Sequence, residues 1–169
     1  MPLSIALLLV LASAAGITYA APAEWKHVPT SSNMRVAQFA LPRSGGDTEA
    51  TDLVIYYFGG SGGTVDANIE RWLGQMQQPD GRPSSAVAKR DTRTINGLKV
   101  TLVDVSGTYV AEVTPGSRDR HNSPNFRLRA AVIETANGPY FVKLTGPANS
   151  VRGAERSFDQ FLASIKYQP

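Results

Sequence analysis

Tyr56 to Trp72 reads YYFGGSGGTVDANIERW, a strand-like apolar run that stops at four glycines around one serine and passes directly into a helix pattern. No other stretch constrains the fold as much. Leu53, Val54, Ile55, Tyr56, Tyr57 and Phe58 form an unbroken apolar run within Thr51 to Phe58, the pattern of a central strand buried on both faces. Val65, Ile69, Trp72, Leu73 and Met76 then recur at i, i+4, i+7, i+8 and i+11, which predicts an amphipathic helix over 65–77. Thr64 is its expected N-cap, and Asp66 suits the positive end of the helix dipole. Asn68, Glu70, Arg71, Gln75 and Gln77 are expected on its other sides.

Strands dominate the rest of the chain. Met34 to Leu41 alternates and stops at Pro42. Ala86 to Ile95 and Leu98 to Ser106 flank Asn96-Gly97, a strong hairpin signal, and Tyr109 to Val113 is a shorter candidate. A polar loop over 114–125 leads to a strand from Phe126 to Thr135, a turn at Asn137-Gly138, and a strand from Pro139 to Thr145 that ends at Gly146-Pro147. A second amphipathic helix closes the chain, its stripe made by Val151, Ala154, Phe158, Phe161, Leu162 and Ile165. Hairpin strands with one helix between them and one at the end predict an α+β domain, an antiparallel sheet with helices packed on it.

Leu3 to Ile17 is almost wholly apolar and uncharged, and Thr18-Tyr19-Ala20 places small residues at −3 and −1 of a cleavage site. The pattern predicts a signal peptide over 1–20, a single domain over 21–169 and a periplasmic or secreted location. The alternative is a retained anchor, for which about 15 apolar residues fall short of the roughly 20 that span a bilayer. With no cysteine, the exported domain has neither a disulfide nor a lipid-bearing thiol. The net charge of +3, carried by 12 Arg and 5 Lys against 14 acids, is interleaved and lacks the basic stripe of a nucleic-acid binder.

The closing segment carries a resemblance. Tyr140-Phe141-Val142-Lys143-Leu144-Thr145-Gly146-Pro147 precedes a helix that ends in Phe158, Phe161, Leu162, Ser164 and Ile165. This aromatic strand, Gly-Pro break and terminal helix resembles the closing unit of the PsbP-like group of small exported proteins, covering about thirty residues, with the rest alike in element order. The resemblance implies an α/β/α sandwich and a non-catalytic accessory or binding role.

Gly60, Ser61, Gly62, Gly63 and Thr64 at a helix start, with Arg71 about two turns on, are candidate contacts for an anion, since backbone N–H groups and the helix dipole converge there. The other reading is a tight structural turn. No lysine follows the last glycine, and position 65 is valine where a dinucleotide fingerprint needs glycine, so nucleotide motifs are absent. Arg118, Arg120, Arg127 and Arg129 form a second candidate, a basic patch for an anionic surface, or else an ordinary solvated face. Asp104 and Glu134 interrupt core-facing alternation, which makes them acid/base candidates or else marks where each strand leaves the core. His27 and His121 are the only histidines and show no metal-ligand spacing, so no metal or cofactor is expected.

These features predict an exported accessory or binding protein of the bacterial cell envelope whose partner is an anionic small molecule or an envelope protein. Two alternatives stand beside it: a small hydrolase built at the 59–64 loop around Ser61, and a module that pairs through an exposed edge strand.

Overall fold

The computed structural model describes residues 10–14, 16–30 and 32–169, the first segment by its backbone. Of the predicted leader, positions 1–9 and 15 lie outside the described residues. Three strands, Val10–Ala14 (β1), Ile17–Ala21 (β2) and Lys26–His27 (β3), precede the first long ones, Arg35–Ala40 (β4) and Asp52–Tyr57 (β5). The glycine loop leads into Val65–Leu73 (α1) and then Met76–Gln77 (β6). The meander follows as Lys89–Ile95 (β7), Leu98–Tyr109 (β8), Ser123–Ile133 (β9) and Tyr140–Pro147 (β10). Ala148–Gly153 (α2), Glu155–Ser164 (α3) and Lys166–Tyr167 (β11) finish the chain.

The main sheet is antiparallel, in the order β3-β4-β5-β10-β9-β8-β6, and β7 also pairs with β8. β5, the strand with the most continuous apolar run, lies beside β10 at its centre. Asn96 and Gly97 both take positive φ, 48° and 79°, as a two-residue hairpin between β7 and β8 requires. β1, β2 and β11 form a separate three-stranded sheet.

Period-two alternation divides the side chains into two core layers. Leu53, Ile55, Val142, Leu144, Phe158, Phe161 and Leu162 pack on the α3 side, joined by Ile17, Tyr19 and Trp25 from the N-terminal segment. Tyr19 and Trp25 each meet the Phe161 ring at 5.2 Å between centroids. Burial of each such aromatic side chain contributes about 2–3 kcal/mol. On the opposite side, Ile69, Trp72, Leu73 and Met76 cover Val103, Val105, Phe126, Leu128, Val132 and Phe141.

Several boundaries differ from the sequence reading. α1 stops at Leu73, not at 77, because Gly74 ends the helix and Met76 and Gln77 pair with Tyr109 and Thr108 of β8. Met76 is still buried, as the stripe required, but on a strand. The closing helix is two helices that meet at Ala154. β9 begins at Ser123, which shortens the polar loop, and β10 runs on through Gly146-Pro147.

Candidate functional site

α1 is shorter than the sheet it covers, and a cleft of about 760 Å³ opens beside it. Its floor comes from the face of β4, β5 and β10 that carries Gln38, Asp52, Val54, Tyr56, Lys143 and Thr145. Arg71, Gly74 and Gln75 from the end of α1 form one wall, and Tyr109 and the 111–121 loop form the other. Two β-bulges flank it. One lies between Arg35 and Ala37 in β4, the other between Gly107 and Tyr109 in β8. A bulge re-aims the side chains next to it, and here each adjoins a residue of the cleft, Arg35 and Tyr109.

Lys143 lies at the centre of this arrangement. Its neighbours Val142 and Leu144 enter the α3 core, so strand alternation sends Lys143 to the cleft side. Its Nζ donates to Gln75 Oε1 and, at 3.3 Å, to Tyr109 Oη, and it sits 5.3 Å from the centre of the Tyr109 ring. Among the described residues, none of Lys143, Arg35 and Arg71 forms an ion pair. Burial, with the nearby charges of Arg71 and Arg35, pushes the Lys143 amine down to about 8. The Tyr109 hydroxyl is pushed up to about 12, chiefly by burial. Burial also raises the Asp52 carboxyl, against the opposing pull of Arg35 and Arg43. Arg35 lies 5.7 Å over the Tyr56 ring and donates to Gln38 Oε1 at 2.9 Å. The cleft therefore holds three cations that make no ion pair among the described residues, between aromatic walls and in the company of the carboxylates of Glu49, Asp52 and Glu112.

The glycine loop does not line this cleft, yet it is coupled to it. Asn68, expected on a solvated helix face, is only 2% exposed. Its Nδ2 donates to Gly62 O at 2.7 Å and Thr64 O at 2.8 Å, while its Oδ1 accepts from Arg71 Nη2 at 2.7 Å. Thr64 caps α1 as expected, its Oγ1 accepting from Ala67 N–H. Ser61 is exposed, and both its N–H and its hydroxyl donate to Phe58 O within the turn. The loop packs against the β9–β10 turn, where a Cβ on Gly138 would stand 2.7 Å from Gly60 Cα. Of the predicted loop contacts Gly60, Ser61, Gly62, Gly63, Thr64 and Arg71, Arg71 alone reaches the cleft wall.

The predicted basic patch is divided. Arg127 and Arg129 lie on the α3 side, where Arg127 binds Asp104 through two hydrogen bonds and pairs with Glu155. Arg129 pairs with Asp104 at 3.2 Å and Asp159 at 3.5 Å, with Phe158 beneath its guanidinium. Asp104 is thus a mid-strand ion-pair partner, not a residue at a fraying strand end. Arg118 is exposed on the 110–122 loop, and Arg120 pairs with Glu112 at the cleft rim. His121 also reaches the cleft, 5.1 Å from the Tyr109 ring, whereas His27 lies on the far edge strand. Among the described residues no cluster of His, Asp or Glu could hold a metal ion, and no helix is long and apolar enough to cross a membrane.

No family model matches the chain, and no curated protein matches it. Solved structures do. The cyanobacterial PsbP (CyanoP) of Synechocystis sp. PCC 6803 superposes with a TM-score of 0.55 over 99% of this chain and 96% of that one, at 12% identity. This chain has the PsbP-like fold. PA94 of Pseudomonas aeruginosa, a protein of unknown function, matches with a TM-score of 0.52 at 20% identity, over 95% of this chain and 98% of that chain. LpqN of Mycobacterium tuberculosis, involved in cell envelope biogenesis, matches with a TM-score of 0.52 at 12% identity, over 95% and 90%. At such identities the PsbP-like likeness concerns architecture, and function must be argued from the site.

Lys143 was the residue that sequence reasoning passed over. The signal was present, a single cation inside the apolar strand Tyr140 to Leu144. A lysine there points either out of the core or into a cavity, and only the layering decides which.

Proposed function

We propose that this chain is an exported, non-catalytic accessory protein of the cell envelope that holds an anionic small molecule in the cleft between α1 and the 111–121 loop. The observation that carries the reading is Lys143, an ammonium set in the cleft beside Arg35 and Arg71, with no carboxylate of the described residues in an ion pair with any of the three. A concentration of unneutralised cations destabilises the empty protein, and a bound carboxylate or phosphate relieves it. Tyr56 and Tyr109 line the cleft and supply apolar surface beside these cations. The predicted leader and the envelope role of one protein of the same fold support the location.

Calorimetric titration with citrate and with inorganic phosphate at fixed ionic strength tests this. Wild-type protein should bind at least one of them, Lys143→Met should lose at least tenfold in affinity, and Arg118→Ala, off the cleft, should bind as wild type does. Absence of binding by wild type, or equal binding by Lys143→Met, would overturn the reading.

A further inference from the structure

β2 spans Ile17–Ala21, so the expected cut after Ala20 falls inside a strand. That strand belongs to the core: Ile17 is 0% and Tyr19 2% exposed, and the Tyr19 ring sits edge-on to Phe39 and Phe161. Its backbone is tied to the chain's other end. β11 pairs with it at Lys166–Thr18 and Tyr167–Ile17, Gln168 N–H donates to Gly16 O at 2.8 Å, and Ala20 N–H donates to Ser164 Oγ at 2.8 Å. Gly16 itself is fitted to its place, with φ of 102° and space for a Cβ limited by Tyr140 Oη at 3.2 Å. Loss of residues 16–20 would leave Phe39 and Phe161 without the Tyr19 ring that packs edge-on to them.

We infer that the leader is cut on the N-terminal side of β2, after Ala14 or Ala15, and that residues 16–21 are part of the mature domain. A processing protease of this kind requires short side chains at −3 and −1. Ala12 and Ala14 supply them for hydrolysis of the 14–15 bond, and Ser13 and Ala15 for the 15–16 bond. Water adds across the peptide bond, leaving a carboxylate on the leader and a free amine on the domain. The apolar run shortens to about a dozen residues, within the roughly 7–15 typical of a leader. β1 ends at Ala14 and β2 begins at Ile17, so either cut falls between the two strands; it gives up the β1–β2 pairing and leaves the β2–β11 pairing and the buried β2 side chains whole.

The inference rests on the export reading, and one experiment separates them. The full chain is produced in a Gram-negative host, and the N-terminus of the envelope fraction is read by intact mass and terminal sequencing. A start at Ala15 or Gly16 is expected. A start at Ala21, or a start at Met1 that marks a retained anchor, would overturn the inference while leaving export standing, and absence of the chain from the envelope fraction would overturn both. Leaderless chains 16–169 and 21–169 give a second readout. The longer should unfold cooperatively, and the shorter should melt at least about 10 °C lower or show no cooperative transition. Equal melting temperatures would contradict a core role for β2.

Discussion

Arg71 Nη2 donates to Asn68 Oδ1 at 2.7 Å, and the same Asn68 amide holds the carbonyls of Gly62 and Thr64. One buried side chain thus ties the glycine loop, the start of α1 and a cation of the cleft wall. The loop contributes to the site by position, through α1, more than by touching a ligand.

Asn68→Leu should separate these roles. It removes two donors from loop carbonyls and the acceptor that fixes Arg71, and should destabilise the domain by about 2–3 kcal/mol. Chemical denaturation reads the loss. Citrate affinity should fall too, by less than in Lys143→Met, because the Arg71 charge remains.

Lys143→Met should stabilise the protein while abolishing binding. The folded-state pKa of Lys143 is depressed to about 8. Between that value and the ordinary lysine range the unfolded chain binds more protons, so this group makes stability rise with pH across the window, and below it the buried charge is a constant penalty. Replacing the ammonium with an isosteric apolar chain should add about 1–3 kcal/mol at neutral pH, or roughly 3–9 °C. The increment should shrink as pH rises above 8. A pH series of melting curves for both proteins checks it.

Asp104 should be a stability residue. It pairs with both Arg127 and Arg129, whose side chains are only 18% and 12% exposed. Asp104→Ala leaves two largely buried guanidinium groups short of a partner and should destabilise by about 3 kcal/mol. Anion binding at the cleft, on the other face of the sheet, should be unchanged. Paired denaturation and calorimetry measure both.

Gly138→Ala should be costly despite its smallness. Gly138 has φ of 109°, and a Cβ would lie 2.7 Å from Gly60 Cα and 2.8 Å from Gly60 N. Backbone on both sides must move, so the turn and the glycine loop separate. A loss of at least about 2 kcal/mol is expected, read as a shift in the denaturation midpoint.

Residues that act through local backbone chemistry were legible in the sequence. Thr64 caps α1, Asn96-Gly97 turns the hairpin, and the apolar run of β5 is a central strand, because each pattern is decided by near neighbours. The end of α1 was not legible: the stripe continued to Met76, and only pairing with β8 makes that residue a strand. Polar side chains were read worst. Asn68, Arg127 and Arg129 look like solvated face in one dimension; the two arginines are held by distant partners, Asp104, Glu155 and Asp159, and Asn68 by its near neighbours Gly62, Thr64 and Arg71 once the loop folds back on α1. Lys143 shows the same limit, since its role depends on Gln75 and Tyr109 from two other elements.

Titration of Lys143 decides whether the cleft is the cationic anion site proposed above. NMR of the side chain in wild-type protein should show the amine titrating near pH 8 in sodium chloride. With citrate or phosphate it should move upward by about one unit or more, the shift that tenfold tighter binding to the charged form produces. A titration in the ordinary lysine range near 10.4, or one that neither anion moves, would contradict the account.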